Sequence, residues 1–155
     1  MRLCSLTAIA AGLLIVGLAS LSTAGDAKDD LAKQELKKFQ GSWDLVSMEQ
    51  GGQKFPEDKL KAAMLKVVIK GSNFTFKAGD KTIAEGKFSI NPAKKPKQMD
   101  SEGTANGKTE KTIGIYQFTG DTLRICFGPA DKERPTEFKT AEGSKHLLET
   151  LRRSK

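Results

Sequence analysis

Two side chains in this sequence have the chemistry of a nucleophile and its base, Cys126 and His146. A cysteine attacks as its thiolate, and a neighbouring histidine is a common group for removing the thiol proton. His146 is the only histidine in the chain, and a catalytic triad would need an orienting acid in addition to Cys126 and His146. We therefore interpret Cys126 as a packed, inert thiol and His146 as an ordinary strand residue. The prediction is that the protein is not an enzyme and has no catalytic residues.

Metal and phosphate chemistry are equally poorly supported. Metal sites of the zinc type need clustered histidine, cysteine and carboxylate ligands, and the sequence shows no such spacing. The glycine-rich stretch 103–109 has three residues between its glycines, where a phosphate-binding loop needs four. A predicted strand follows it, so no helix N-terminus would face a phosphate. No metal and no cofactor are predicted.

The richest polar cluster is the segment DKERPTE at 131–137. Pro135 restricts the residue before it, Arg134, to an extended backbone. A rigid loop that presents an arginine and two glutamates has three possible roles. It could grip a carboxylate of a ligand, pair with Asp100, or plug one end of the fold. The candidate polar contacts are Asp100, Arg134 and Glu137.

These side chains must be positioned by strands, of which residues 109–127 give the clearest pattern. The segment predicts an antiparallel hairpin with a tight turn at Gly120-Asp121, because glycine supplies the positive φ of such turns and aspartate tolerates it. Gly71-Ser72 predicts a second hairpin by the same reasoning. The pairs expected to share one face are Phe118 with Leu123, Tyr116 with Ile125, Gly114 with Phe127, Ile69 with Phe74, and Val67 with Phe76.

Turn residues recur at near-regular spacing and separate about eight short strand-like segments. This pattern predicts an all-β, antiparallel meander closed into a barrel. A bulge near Ala84–Gly86 would restore the inside–outside phase between Ile83 and Phe88. A short strand at Gln98–Glu102 should precede a loop at Gly103–Lys108. A barrel of eight strands is either filled by side chains or just wide enough for one small ligand.

Two short helices are expected beside the strands. Residues 25–37 predict a polar tether ending in one or two helical turns, and residues 38–155 the barrel domain. A second helix is expected at Phe55–Met64, between the first two strands, with Pro56 at its first position and acidic residues in its first turn. The last strand is expected at His146–Arg153.

Residues 1–24 resemble no part of such a barrel. One positive residue precedes an uncharged apolar run, and small residues follow, which is the order of a secretory signal peptide. Cleavage is expected after Ala24 or Ala27, which would remove Cys4 and leave Cys126 as the single thiol. The protein would then be exported to the periplasm or the extracellular space. An uncleaved membrane anchor is the alternative, and the leader is the only expected link to a membrane.

The net charge of +7 at pH 7 does not indicate nucleic-acid binding. Arg2 is the only charged residue of the leader, so the mature chain carries +6. Nucleic-acid binding usually needs a concentrated basic face, whereas the lysines here are scattered along the strands. We interpret them as solvated strand faces.

Two resemblances follow from these residues. Gly41-Ser42-Trp43 resembles the Gly-x-Trp signature of lipocalins, and this implies that Trp43 closes the barrel floor against Arg152 or Arg153 near the C-terminus. The phrases FQGSWDLVSMEQGG, KPK, GIYQFTGDTLRICF and KERPTEF resemble a family of small lipocalin-like domains of unassigned function, abundant in planctomycete bacteria. This second resemblance covers residues 31–153 and departs at Ser101–Thr109, where polar residues replace apolar ones.

Two functions remain open for such a domain. The first is binding of a small apolar or amphipathic molecule inside the barrel, and the second is a solid barrel that acts as an interaction module for another exported protein. Ligand binding is the leading hypothesis. The objection to it is the bulk of the inward aromatic residues, which would leave no cavity if they filled the barrel. The candidate lining residues are Trp43, Val67, Ile69, Phe74, Phe76, Phe88, Tyr116, Phe118, Leu123, Ile125 and Phe127.

Overall fold

The computed structural model describes residues 24–155, which form two helices and nine strands. The helices are α1 (Ala24–Phe39) and α2 (Glu57–Ala62). The strands are β1 (Gly41–Gln50), β2 (Gln53–Lys54), β3 (Leu65–Lys70), β4 (Asn73–Ala78), β5 (Lys81–Asn91), β6 (Lys97–Ala105), β7 (Lys108–Thr119), β8 (Thr122–Pro129) and β9 (Leu147–Arg153). Residues 1–23 of the predicted leader lie outside the described residues.

The strands form one closed antiparallel barrel. From β3 to β9 each strand pairs with the next, and β1 pairs with both β3 and β9, which closes the sheet on itself. Eight strands build the barrel, and the short β2 adds to β1 alone through Glu49 and Lys54. The predicted eight-stranded meander with two helices is confirmed. Each of the eight barrel strands pairs with a neighbouring strand on both sides, so none is an edge strand.

The predicted hairpins have the expected register. In the β7–β8 hairpin Phe118 pairs with Leu123, and in the β3–β4 hairpin Ile69 pairs with Phe74. Gly71 and Gly120 both have positive φ, at 61° and 56°. Local turn chemistry therefore fixed which residues share the inward face.

The prediction of a loop at Gly103–Lys108 is wrong. Strand β6 continues to Ala105, which pairs with Lys108 across a two-residue turn. The turn residues Asn106 and Gly107 both have positive φ, at 50° and 76°. Asn-Gly is the preferred sequence for a two-residue hairpin turn with positive φ at both positions. The backbone twist of such a turn matches the twist of the strands that it joins. The polar residues of 101–109 thus belong to a full-length hairpin.

A bulge in β5 lies one position before the predicted range. Phe76 of β4 pairs with Ala84, whereas Lys77 pairs with Thr82, so Ile83 is the extra residue. Beyond the bulge, Phe74, Gly86 and Gly103 lie side by side on three neighbouring strands. The Phe74 ring lies over both glycines, since a Cβ on Gly86 or Gly103 would approach its Cζ to 2.8 or 3.0 Å. The Phe74 ring therefore covers the backbone of the two glycines, which have no side chains to cover it themselves.

Replacing Gly86 with alanine should lower the free energy of unfolding by about 2 kcal/mol. The added Cβ would stand 2.1 Å from the Glu102 carbonyl oxygen, so β5 and β6 would have to separate locally. Gly103→Ala is the matched control, because its Cβ would meet the end of the Phe74 side chain at 3.0 Å and backbone only at 3.8 Å. Urea unfolding of both variants measures the effect; equal losses would contradict this account.

Helix α1 closes one end of the barrel. Phe39, its last residue, is fully buried and packs against the rings of Phe88, Tyr116 and Phe118 at centroid distances of 5.3, 5.0 and 4.8 Å. Gln40 exchanges two hydrogen bonds with the backbone of Gly71 in the β3–β4 turn. The helix has 16 residues and is longer than the one or two turns expected.

Glu35 ties α1 to the start of β6. Its buried carboxylate accepts hydrogen bonds from Lys97 at 2.5 Å and from Lys38 at 2.8 Å. Burial alone raises the pKa of Glu35, but the two lysines more than offset this and hold the pKa below its ordinary value. The carboxylate is therefore a charged, paired anchor between the helix and the barrel.

Of the two arginines considered for barrel closure, Arg153 stacks on Trp43 and Arg152 does not. The Arg153 guanidinium carbon lies 4.2 Å from the Trp43 ring centroid, and its nitrogens donate to the carbonyl oxygens of Gln40 and Lys38 at 2.8 Å each. Trp43 Nε1 donates to the Phe39 carbonyl oxygen at 2.7 Å. Arg152 is exposed, because strand alternation turns it to the opposite face.

Helix α2 is shorter than predicted and begins after Pro56, which occupies the N-cap position instead of the first helical position. Leu60 is its buried residue and joins the main core with Trp43 and Leu45. The flanking residues Phe55 and Met64 are 41% and 67% exposed. The helix thus packs beside β1 and leaves an apolar surface on either side of itself.

Candidate functional site: the barrel cavity

The barrel holds a cavity of about 250 Å³ in the half that lies away from α1. Inward-facing side chains of seven strands line it, and the lining is mainly apolar. Seven of the eleven residues predicted to line a ligand site do so: Val67, Ile69, Phe74, Phe76, Phe88, Ile125 and Phe127.

The other four predicted lining residues fill the closed end. Trp43, Tyr116, Phe118 and Leu123 belong to the same core cluster as Phe39, and Trp43 and Leu123 are fully buried. These residues are part of the barrel core but do not border the cavity. The barrel is therefore solid at the α1 end and hollow at the other.

Small side chains on β5 and β6 create the free space. Ala84, Ser101, Gly103 and Ala105 occupy inward positions where larger residues would fill the barrel. Three of them belong to the hairpin in which the sequence departs from an apolar strand pattern. The hydroxyl groups of Ser101 and Thr112 share one hydrogen bond across the β6–β7 pair, with 2.7 Å between their oxygens, so each has a partner at the cavity wall.

Glu149 is one of the ten lining residues that sequence reasoning missed, and it is the one with the strongest consequence for binding. It lies in β9 between Leu147 and Leu151, which also line the cavity. The pattern Leu-x-Glu-x-Leu at 147–151 has strand alternation and could have indicated an inward carboxyl. The alternation alone could not show that the strand closes a barrel with a hollow half.

The surroundings of Glu149 are apolar on both sides. Its cross-strand neighbours are Met48 of β1 and Ile125 of β8. Burial raises the pKa of Glu149 to about 7, since an apolar environment disfavours the charged carboxylate. The residue is half-buried because it borders the cavity. A second carboxyl, that of the exposed Glu110, lines the cavity near the β6–β7 turn.

Tyr116 faces inward as predicted but offers no hydroxyl to the cavity. Among the described residues its buried hydroxyl has no hydrogen-bond partner. Burial and, to a lesser extent, the Glu35 carboxylate raise the pKa of Tyr116 far above its ordinary value. Lys97 lies over the ring, 5.9 Å from its centroid. Tyr116 belongs to the closed end.

The predicted polar residues lie on the outer face of the barrel. Arg134 pairs with Asp100 at 2.6 Å and donates to the Gly114 and Met99 carbonyl oxygens at 2.7 and 3.2 Å. The guanidinium therefore ties the segment after β8 to strands β6 and β7. Of the three roles considered for this cluster, pairing with Asp100 is the one observed, while Glu137 pairs with Lys139.

Cys126 lies in a small outer cluster with Ile115 and Leu148, covered by Phe138. Burial raises the pKa of the Cys126 thiol, and its Sγ donates to the Lys139 carbonyl oxygen at 3.7 Å. This environment favours the thiol over the thiolate. His146 precedes β9, with its ring against Gly128, and does not line the cavity. Within residues 24–155 no group of three or more metal-binding side chains comes together.

Comparison with known proteins gives no assignment: no protein-family model matches the chain, and no curated protein is significantly similar to it. The resemblance to small planctomycete lipocalin-like domains stays a prediction. No helix within the described part of the chain has the length and apolar character needed to cross a membrane.

Proposed function

We propose that this protein is an exported lipocalin-like domain that binds a small apolar or amphipathic molecule inside its barrel. The observation that supports the proposal is the mainly apolar cavity of about 250 Å³. Ligand sites are typically concave and apolar with a few convergent polar groups, and this cavity has that composition. The ligand must be small, because the volume is below the range of about 300–1,000 Å³ usual for drug-sized ligands.

The closed end supports the same proposal. Helix α1 is held by Glu35, Gln40 and the carbonyl contacts of Arg153, so the solid half forms a rigid floor. Entry would then be from the opposite end, where the β6–β7 turn and Leu147 lie. A preformed site of this kind loses little conformational entropy when a ligand binds.

The experiment is titration of the mature protein with 1-octanol by calorimetry, compared with Ala84→Phe. Ala84 lines the cavity, so a phenyl ring there should fill part of it and weaken binding at least tenfold. Ala93→Phe is the matched control, since Ala93 is exposed in the β5–β6 connection and should leave binding unchanged. We expect the wild-type dissociation constant to be below about 1 mM. Absence of binding by the folded wild-type protein would overturn the proposal.

An interaction module is the second candidate. Phe55 and Met64, which flank α2, are 41% and 67% exposed, and exposed apolar side chains are common at protein interfaces. Under this alternative the cavity would be incidental. Solvent extraction of purified protein followed by mass spectrometry distinguishes the two, because a bound small molecule supports the cavity.

A further inference from the structure

The cavity contains carboxyl groups but no cation. Its lining includes Glu149 and Glu110, and no lysine, arginine or histidine belongs to it. The described ion pairs involve neither glutamate. The titratable side chains of the lining are therefore both acidic, although the whole chain carries a net charge of +7. A ligand with an anionic head group would be repelled from this space.

Glu149 borders the cavity, so the head group of a bound ligand could contact its carboxyl group. Along β9, Leu147 and Leu151 contact the cavity on either side of it, so apolar surface extends both above and below the carboxyl. A buried carboxylate without a partner is costly, and a positively charged hydrogen-bond donor is the partner that removes most of the cost. The described part of the protein supplies no such donor at this position.

The strands next to Glu149 add no cationic side chain to the cavity lining. Met48 of β1 and Ile125 of β8 are uncharged, and Glu110 of β7 is the other titratable group in the lining. Lys111 and Lys145 line an adjoining surface groove instead of the cavity. Neither is a described partner of Glu149.

We infer that the ligand is a primary amine with a short apolar body, and that the Glu149 carboxylate binds its ammonium group. This inference rests on the proposed function and names the ligand class of the same site. The cavity volume of about 250 Å³ equals that of about eight water molecules in the liquid, so the apolar body must be short. A chain of about eight carbons is a suitable probe.

The test compares three probes with the same apolar chain and different heads: 1-octylamine, 1-octanol and octanoate. At pH 8 an alkyl ammonium is protonated, because its pKa is close to the value of about 10.4 for lysine. We expect the mature protein to bind octylamine about tenfold or more tightly than octanol, since hydrogen bonds to charged groups are among the stronger ones. Octanoate should bind most weakly.

Glu149→Gln should reduce the preference for octylamine over octanol to less than threefold, with octanol binding retained. Glu85→Gln is the matched control, because it removes one carboxylate from the exposed side of β5 and should keep the full preference. The amine affinity of the wild type should also fall as the pH drops below about 7, where Glu149 takes up a proton.

The outcomes separate the two proposals. Equal binding of octylamine and octanol, or a preference that survives in Glu149→Gln, would overturn the amine assignment and leave the cavity proposal standing. If none of the three probes binds the folded wild-type protein, both proposals fail. Circular dichroism of each variant establishes that it is folded before binding is compared.

Discussion

Replacing Trp43 with alanine should lower the free energy of unfolding by about 3–5 kcal/mol. The indole is fully buried in the closed end of the barrel. Its loss would leave a cavity beside Phe118, whose ring centroid lies 5.9 Å away. The Phe39 carbonyl oxygen would lose its hydrogen bond from Nε1, and Arg153 would lose the ring on which it stacks. Three kinds of interaction thus disappear with one side chain.

Urea unfolding followed by far-ultraviolet circular dichroism measures this loss, since the variant has no tryptophan left for fluorescence. Phe55→Ala is the control, because Phe55 is 41% exposed and its removal should change stability by less than about 1 kcal/mol. A Trp43→Ala variant as stable as the control would contradict the described closed end.

The second large effect is the pH dependence that Glu149 gives to stability. Its pKa is about 7 in the folded protein and close to the ordinary value of 4.5 when unfolded. Between these two pH values the folded state keeps a proton that the unfolded state releases. The contribution of Glu149 to stability is therefore fully present below the unfolded pKa and is lost as the pH rises through the folded pKa. At about 1.4 kcal/mol per pH unit the loss is about 3 kcal/mol.

Glu149→Gln should remove this loss. At pH 8 the variant should be more stable than the wild type by about 3 kcal/mol, and the two should differ little at pH 4.5. Denaturant unfolding at both values measures the difference, and Glu85→Gln should follow the wild type. Comparing the wild type with the variant cancels the contribution of other acids such as Glu35, whose lowered pKa acts in the opposite direction. A difference that is the same at both pH values would contradict the raised pKa of Glu149.

The prediction for Glu149 connects stability with the proposed binding site. A carboxyl that destabilises the empty barrel at neutral pH is expected of a functional residue, because its partner arrives only with the ligand. The amine probe should accordingly stabilise the wild-type protein at pH 8 by more than it stabilises Glu149→Gln. The carboxyl group of Glu149 thus lowers the stability of the ligand-free protein and strengthens the proposed binding of an amine.

Much of the fold could be predicted because the strands are joined by short turns. The registers at Gly71-Ser72 and Gly120-Asp121 follow from two residues each, and strand alternation then places every inward side chain of those hairpins. The Asn106-Gly107 turn carried the same local information and was overlooked, because the polar residues around it suggested a loop. That error shortened β6 in the prediction.

The site was only partly predictable because it depends on contacts distant in sequence. Alternation identifies inward residues, but it does not show that Phe39 enters the barrel from α1 and fills the half containing Tyr116 and Phe118. It also does not show that small residues on β5 and β6 leave the other half hollow. Glu149 becomes a lining residue only when β9 pairs with β1, and local sequence does not encode this closure.

The pairing of β1 with β9 also has a consequence for the order of assembly. Arg153 bonds the backbone of Gln40, and these residues are 113 positions apart in the chain. Contacts between residues so distant in sequence form slowly, because closing a long loop costs conformational entropy. The hairpins should therefore form first, and the seam between β1 and β9 should form last. During synthesis the seam cannot form until the final strand has left the ribosome. A polypeptide truncated before Leu147 would have no enclosed interior, however well its hairpins formed.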